Sequence, residues 1–249
     1  MSLIKTILKY AAPAPQIGEF QRYLFIGPHP DDIEIGCGAT ACKLASEQKD
    51  ICFLICIDGR YGTANMSIGP EEMAEVRKKE AGLSASYLGI DDVRFLDLCD
   101  GGFYEYKDLV AGIQKVIGEF KPDIIFCPDP DVTSECHIDH LNVGKAVKTC
   151  AYLAPYKNIT ANYGADSSDV KAIAFYYTAK PNRFVDVRGQ LERQIESIFG
   201  FHKSQFPEGC DDAKTIPTYI KLKYYFYAGR EGFRCLGRTQ MHCFPEGGD

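Results

Sequence analysis

Short apolar runs alternate with amphipathic stretches along most of this chain, and this alternation constrains its fold more than any other feature. Apolar runs that favour strands lie at 23–27, 51–57, 93–98, 123–127, 170–177 and 184–187. Helical patterns fill the intervals, at about 35–48, 70–88, 109–120, 138–153 and 191–199. Apolar strands separated by amphipathic helices form parallel sheets that are covered on both faces. We therefore predict an α/β fold with a Rossmann-like, mainly parallel sheet flanked by helices on both faces.

The chain is organised as one unit. Its 249 residues contain no internal repeat and no linker long enough to divide it, and the best loop candidate, 157–169, is short. A domain of this size buries roughly three quarters of its unfolded surface, so it needs no disulfide or structural metal to fold. We predict a single α/β domain over 1–249.

Charge and cysteine usage exclude several classes of protein. The net charge of −6 disfavours a nucleic-acid partner, which needs a basic footprint, and no apolar run approaches the length of a membrane span. The eleven cysteines are scattered and form no CxxC pair. Several stand in apolar runs, where cysteine behaves as a small hydrophobic residue. We predict buried, reduced thiols and a soluble cytoplasmic protein with no membrane partner.

Acidic residues and a histidine follow the first predicted strand, in the segment Pro28–Asp32 (PHPDD). Ligands of open α/β sheets bind outside the carboxyl ends of the strands, so this turn is a candidate site. A nucleotide site would need glycines and backbone donors here, and two carboxylates would repel a phosphate. Gly36 and Gly38 lie too far into the helix to form a dinucleotide motif. An acidic pair beside an imidazole instead favours a cation.

A second cluster follows the fourth predicted strand, at His137–His140 (HIDH). His137 and His140 are three residues apart at the start of a helix, so they share a face. With His29, three of the five histidines in the chain follow strand ends. A single histidine in a turn is usually a surface residue, and an aspartate there is often a helix cap. Recurrence at two strand ends favours a metal site, and His, Asp and His with one open position suit catalytic zinc.

The two turns together carry a family resemblance. PHPDD after the first strand, followed by HIDH, resembles the zinc-dependent N-deacetylases of the PIG-L/LmbE type. The likeness extends across most of the chain, through Arg77–Ala81 with Leu88–Gly89, Asp100–Gly101 and His202–Gln205. The resemblance implies an LmbE-like fold, a bound zinc ion with ferrous iron as the alternative, and an amino-sugar substrate.

Residue roles follow from the resemblance, position by position. It implies that three residues hold the metal: His29, Asp32 and His140. It further implies that Asp31 is the general base and that His137 faces the oxyanion of the tetrahedral intermediate. Asp139 would orient and charge His137, which would then act in its protonated form.

Two positions and one segment depart from the family pattern. Ile33 stands between the second aspartate and Glu34, a pattern associated with the bacterial sugar-deacetylase branch. Ile138 replaces the proline of the HPDH motif, and neither change touches a predicted ligand. The C-terminal segment Met241–Glu246 does not match the family ending.

The helix at 70–88 places two charged residues on its apolar side. We predict that its buried stripe comprises Met73, Val76, Leu83 and Tyr87. Arg77 and Glu80 fall on that stripe, so they either form a buried ion pair or Arg77 reaches the pocket to hold substrate hydroxyls. The resemblance implies sugar-binding roles for Arg77 and for Asp100.

Together these features predict a metal-dependent hydrolase that removes the N-acetyl group from an N-acetylglucosamine-type sugar or conjugate. One alternative is an amidase of a larger sugar or thiol conjugate with the same metal chemistry. Another is a metal-containing saccharide-binding protein without turnover, which would not need Asp31 as a base. A phosphoesterase is disfavoured by the acidic turn.

Two late segments carry weaker expectations. The aromatic stretch 219–227 forms either a subunit contact or an ordinary packed segment, and the resemblance favours a homo-oligomer. His202 is expected to be a packed or capping residue. His242 is open to a catalytic or subunit-bridging role.

Overall fold

The computed structural model describes residues 7, 10–62, 67–207 and 209–242. The strands are β1 (Arg22–Gly27), β2 (Asp50–Ile57), β3 (Asp92–Leu98), β4 (Ile124–Pro128), β5 (Ala172–Tyr176), β6 (Arg183–Asp186) and β7 (Arg230–Gly237). The α-helices are α1 (Asp32–Ser46), α2 (Pro70–Leu88), α3 (Tyr106–Phe120), α4 (Ile138–Leu153), α5 (Lys157–Thr160), α6 (Leu191–Phe199) and α7 (Asp212–Phe226). Every strand and helix predicted from the sequence is present, with ends that differ by at most three residues.

The strands form one seven-stranded sheet in the order β3-β2-β1-β4-β5-β7-β6. Neighbouring strands from β3 to β5 pair in parallel, whereas β7 runs antiparallel to both β5 and β6. The chain builds outward from β1 to β3 and then returns to place β4 on the other side of β1. This reversal creates a crevice between the carboxyl ends of β1 and β4, where open α/β sheets bind their ligands.

Side chains alternate between the two faces of the sheet, and each face has its own apolar core. Tyr23 and Phe25 of β1 pack on the face that carries α1 and α2. Leu24 and Ile26 pack on the opposite face, against α3 and α4. These side chains are fully buried, so β1 is apolar on both faces over residues 23–26. The predicted mainly parallel α/β sheet with helices on both faces is therefore confirmed.

Two elements near the C-terminal end had no predicted counterpart. Helix α7 contains Pro217, and aromatic and charged residues mix along it without a clear helical period. Strand β7 carries Arg230, Glu231 and Arg234 among its apolar residues, which weakens the strand pattern. The predicted loop at 157–169 begins with helix α5 and a 3-10 turn at Ala161–Tyr163.

The predicted apolar stripe of α2 was partly wrong. Leu83 is 60% exposed, whereas the buried residues of this helix are Met73, Arg77, Ala81, Ser84, Ala85 and Leu88. Small residues take the inner face because α2 packs closely against α6, where the Ser84 hydroxyl donates to the Ser197 carbonyl at 2.9 Å. Of the predicted stripe, Met73 is buried, whereas Leu83 and Tyr87 are exposed.

Two expectations about the whole chain concern membrane spans and cysteines. In the part of the chain that the structure describes, no helix is both long and apolar enough to cross a bilayer. The cysteines in that part are free thiols, and most of them are buried. Burial raises the pKa of the Cys150 thiol to about 12, so this cysteine is an unreactive core residue.

Candidate active site

A cavity of about 250 Å³ opens at the carboxyl ends of β1 and β4. Its walls contain every residue predicted from the sequence for a metal, base, oxyanion or sugar role except Asp139. The lining residues are His29, Asp31, Asp32, Ile35, Gly62, Arg77, Asp100, His137, His140, Gln205, Phe206, Asp212 and Ile216. The two turns that are far apart in sequence therefore meet in one pocket.

The turn after β1 holds Asp31 in an unusual backbone conformation. Its φ is 118°, a region that residues with a Cβ rarely adopt, and such strain is concentrated at functional sites. Helix α1 begins at the next residue, Asp32, whose carboxylate accepts a hydrogen bond from the His29 amide at 3.0 Å. The turn thus points two adjacent carboxylates toward the cavity in fixed positions.

Two imidazoles converge on the carboxylate of Asp32. His29 Nδ1 lies 3.2 Å and His140 Nε2 lies 3.3 Å from Asp32 Oδ2. One donor atom from each of the three residues lies within 4.8 Å of the others. Two nitrogens and one oxygen at this spacing, beside an open cavity, form a donor set that fits a four-coordinate divalent cation with one free position.

The opposite nitrogen of His29 meets two other carboxylates. His29 Nε2 lies 3.2 Å from Asp139 Oδ2 and 3.3 Å from Asp100 Oδ1. The Gly101 amide also donates to Asp139 Oδ2, at 3.0 Å. Such carboxylate contacts fix the orientation of a ligating imidazole and raise its basicity.

His137 stands at the start of α4 with one nitrogen already engaged. Its Nδ1 accepts a hydrogen bond from the Asp139 amide at 3.3 Å, which leaves Nε2 as the protonated nitrogen of the neutral ring. The Asp139 carboxylate lies 3.8 Å from the same Nδ1, farther than its distance to His29. Partial burial, together with the charges of His29 and His140, lowers the pKa of His137 and favours the neutral ring.

At the centre of the site, burial and neighbouring charges shift the pKa values of His29 and Asp31 in opposite directions. Burial alone would lower the pKa of His29, but hydrogen bonds to Asp100, Asp139 and Asp32 raise it well above the usual value. Burial raises the pKa of Asp31 to about 6, against the opposing charge of Arg77. A carboxyl group whose pKa is raised toward neutrality is suited to accept and release a proton near pH 7.

Arg77 is buried behind the turn and contacts protein atoms rather than Glu80. Its guanidinium donates to the Gly59 carbonyl at 2.8 Å and to the Pro30 carbonyl at 2.7 Å, and it lies 3.3 Å from Asp31 Oδ2. A Cβ at Gly59 would lie 2.4 Å from Arg77 Nη1, so a residue without a side chain is needed there. Arg77 therefore supports the Asp31 turn as well as lining the cavity.

Two residues at the site had no predicted role. Glu135 Oε2 lies 3.1 Å from His140 Nδ1, and the Tyr177 hydroxyl lies 3.3 Å from Asp32 Oδ1. Glu135 thus contacts the predicted ligand His140, and Tyr177 contacts the predicted ligand Asp32. Tyr177 directly follows β5, so its position at a strand end was the available signal, whereas Glu135 lies in an irregular loop with none.

The late histidines have different environments. His202 is fully buried, with its Nε2 lying 3.2 Å from Glu34 Oε1, so its predicted packed position is confirmed. His242 packs its ring against Tyr152 with centroids 5.1 Å apart. It does not line the cavity, and its catalytic or subunit-bridging role stays a prediction.

Comparison with known proteins identifies the family. The model of the family described as "PIG-L: GlcNAc-PI de-N-acetylase" matches residues 24–151, which include both histidine-containing turns. The chain belongs to the PIG-L family. This confirms the family that the two turns indicated.

Individual PIG-L-type relatives match over most of their length. The chain is 32% identical to diacetylchitobiose deacetylase of Thermococcus kodakarensis, over 91% of this chain and 87% of that protein. It is 27% identical to 1D-myo-inositol 2-acetamido-2-deoxy-alpha-D-glucopyranoside deacetylase 1 of Catenulispora acidiphila, over 86% and 74%. Both relatives are deacetylases of acetamido sugars by name.

A solved structure supports the same assignment. The fold matches N,N'-diacetylchitobiose deacetylase from Pyrococcus horikoshii with a TM-score of 0.84 and 29% identity, covering 96% of this chain and 92% of that one. The PIG-L-type architecture therefore extends beyond the matched 24–151 segment to the C-terminal strands.

Proposed function

We propose that this protein is a metal-dependent N-deacetylase that removes the acetyl group from an N-acetylglucosamine-type sugar or conjugate. The observation that carries the proposal is the placement of Asp31, a buried carboxylate adjacent to the His29–Asp32–His140 cluster in the cavity. A protein that only bound saccharides would have no need for this strained acid. The names of the relatives support the substrate class.

His29, Asp32 and His140 would hold the cation, which we propose to be zinc, with ferrous iron as the alternative. Their nitrogen and oxygen donors suit either ion. When bound, a divalent cation supplies Lewis acidity to the acyl carbonyl and to the attacking water. Asp100 and Asp139 would hold His29 in the orientation that ligation requires, through its Nε2.

Asp31 would act as the general base. It precedes Asp32 in the chain and shares its cavity wall, so its carboxylate can accept the proton of the attacking water. Arg77 would hold this carboxylate in place through its contact with Oδ2. The same carboxyl group would then carry a proton that the leaving amine can take up.

His137 would stabilise the oxygen that becomes negative when the amide carbon turns tetrahedral. Its Nδ1 is occupied by the Asp139 amide, which directs the Nε2 proton away from the helix start. A preorganised donor of this kind stabilises the developing oxyanion more than the planar amide. The neutral imidazole can serve, since donation requires only the Nε2 proton.

The assembly and cellular location are further parts of this proposal. The exposed aromatic residues of α7, among them Tyr225 and Phe226, support a homo-oligomer. The free, buried thiols support a reducing compartment, and we assign the protein to the cytoplasm.

The first test is metal content by plasma mass spectrometry, measured on the wild-type protein and on His29→Ala and His140→Ala. We expect about one zinc or iron ion per wild-type chain and loss of it in both variants. The loaded wild-type protein should release an amine and acetate from N-acetylglucosamine or diacetylchitobiose. Metal retained equally in both variants would refute the site, and a loaded protein that releases no amine would refute the activity.

A further inference from the structure

Within the segment His202–Gln205, Gln205 lines the cavity, yet the proposed chemistry uses none of the residues of this segment. We propose that Gln205 is a substrate-contacting residue, whose side-chain amide binds one ring hydroxyl of the amino sugar and so determines specificity. This assignment rests on the proposed deacetylase function. It concerns recognition of the sugar, not the reaction at the amide carbon.

Gln205 lies on the cavity wall, together with Asp31, Arg77 and Asp100. Its Oε1 atom borders Gly62, where an added Cβ would lie 3.1 Å from it. A sugar whose acetamido group lay between Asp31 and His137 would therefore extend along a wall that includes this amide.

The amide of Gln205 has unused hydrogen-bonding capacity. Its Oε1 is buried and has no hydrogen-bond partner within residues 10–62, 67–207 and 209–242. A buried acceptor without a partner costs free energy, which a ligand hydroxyl can recover by donating to it. One carbonyl oxygen and one NH₂ group also match a hydroxyl, which both donates and accepts.

The neighbours of Gln205 are fixed, so its amide is held in place. On one side, Ser204 donates from its amide and its hydroxyl to the Glu80 carboxylate on α2. His202 contacts Glu34 of α1 at 3.2 Å. On the other side, Phe206 is buried in an apolar cluster with Ile198 and Ile220. A polar group on such an anchored segment is preorganised for recognition.

The two residues that the family resemblance implies for sugar binding are largely occupied within the protein. The two terminal nitrogens of Arg77 donate to the Gly59 and Pro30 carbonyls. Asp100 meets His29 through Oδ1 and accepts from the Tyr61 amide through Oδ2. Gln205 is therefore the cavity-lining side chain in the described residues whose amide makes no hydrogen bond within the protein.

The test compares the wild-type protein with Gln205→Met, a nearly isosteric change that removes the amide. We would measure kcat and KM with methyl N-acetylglucosaminide and with its 3-, 4- and 6-deoxy analogues, each lacking one ring hydroxyl. Gln114→Met is the matched control, because the buried Gln114 amide also has no partner among the described residues but lies on α3, away from the cavity.

We expect Gln205→Met to lower kcat/KM for the parent sugar about 10- to 100-fold while metal content is unchanged. One deoxy analogue should be used equally well by Gln205→Met and by the wild-type protein, which identifies the hydroxyl that the amide binds. Gln114→Met should match the wild type on every sugar. If Gln205→Met does not fold, Gln205→Ala, which also removes the amide, is expected to show the same selective pattern.

Unchanged constants in Gln205→Met, or an equal loss on every analogue, would overturn the assignment and leave the deacetylase function standing. An absence of turnover by the metal-loaded wild-type protein on all these sugars would instead overturn the proposed function, and this inference with it.

Discussion

The two ends of the sheet differ in how far their buried polar groups are hydrogen-bonded. At the amino ends of β1 and β4, Asp123 accepts hydrogen bonds from the Gln21 and Arg22 amides and from Lys171. At the carboxyl ends of the same strands, polar atoms such as Arg77 Nε, His202 Nδ1 and Gln205 Oε1 are buried and have no hydrogen-bond partner among the residues that the structure describes. Asp123 at the amino end thus has partners for both carboxylate oxygens, whereas several groups at the carboxyl end have none in the described residues.

This difference indicates that the amino end of the sheet contributes to stability and the carboxyl end to function. Satisfied hydrogen bonds at the amino end contribute to folding, whereas unsatisfied groups and a strained turn at the carboxyl end cost free energy. Proteins retain such costs at sites where a ligand recovers them. Substitutions at the amino end should therefore affect the free energy of unfolding, and those at the carboxyl end should affect turnover.

The largest expected effect is on turnover, in Asp31→Asn. Removing the base should lower kcat roughly 10²- to 10⁴-fold, because the amide of asparagine cannot accept the proton of the attacking water. Steady-state kinetics and metal analysis of the same samples check this, and metal content should stay at the wild-type level. A kcat within a few-fold of wild type would remove Asp31 from the mechanism.

His137→Ala should have the next largest effect, a loss of roughly 10²- to 10³-fold in kcat. The side chain is 47% exposed, so the free energy of unfolding should change little. Kinetics and thermal unfolding of one preparation measure both quantities. A large drop in Tm with unchanged kcat would show that this histidine serves the fold.

Asp123→Ala at the amino end should lower the free energy of unfolding by about 2 kcal/mol, since three donors lose their acceptor. The kinetic constants should match the wild type. Burial acts to raise the pKa of Asp123, but hydrogen bonds from Lys171 and two backbone amides lower it overall. Its stabilisation is therefore present above the ordinary aspartate pKa and is lost as pH falls through the lowered value.

Urea unfolding of both proteins at pH 7 and at progressively lower pH checks the sign of this effect. The difference between Asp123→Ala and wild type should shrink as the medium becomes acidic. A difference that grew in acid, or a loss of turnover at neutral pH, would contradict the separation between the two ends of the sheet.

The smallest expected effect compares two inactive variants at the strained turn. Asp31→Gly should be more stable than Asp31→Ala by about 1 kcal/mol, because glycine adopts a positive φ without steric cost. Both lack the carboxylate, so the difference reports the backbone alone. Equal urea midpoints would mean that the turn relaxes once the side chain is removed.

The sequence predicted the central fold well and predicted that the candidate donor residues lie at neighbouring strand ends, for a physical reason. Apolar strands and amphipathic helices have different periods, and the PHPDD and HIDH turns stand at the ends of adjacent strands. Contacts between side chains that are distant in sequence were harder to predict. Spacing on α2 suggested an Arg77–Glu80 pair, but Arg77 lies against Asp31 and Glu80 against Ser204.

Strand β7 could not be predicted because, unlike β1, it carries a buried charged side chain in its middle. Arg234 is buried in it, paired with Asp129 after β4 and with Asp131. An isolated strand pattern with a central arginine is typical of an exposed edge. Only the proximity of Asp129, distant in sequence, makes the position acceptable for a charged side chain.

The position of β7 also bears on how the chain emerges from the ribosome. Because β7 lies between β5 and β6, strand β6 has no sheet partner until residues 230–237 have been synthesised. Until then β5 presents an open edge, and such edges are prone to pairing with other chains. Strand β7 thus covers the edge of β5 and joins β6 to the sheet, so the nascent chain is vulnerable to aggregation until residues 230–237 have been synthesised.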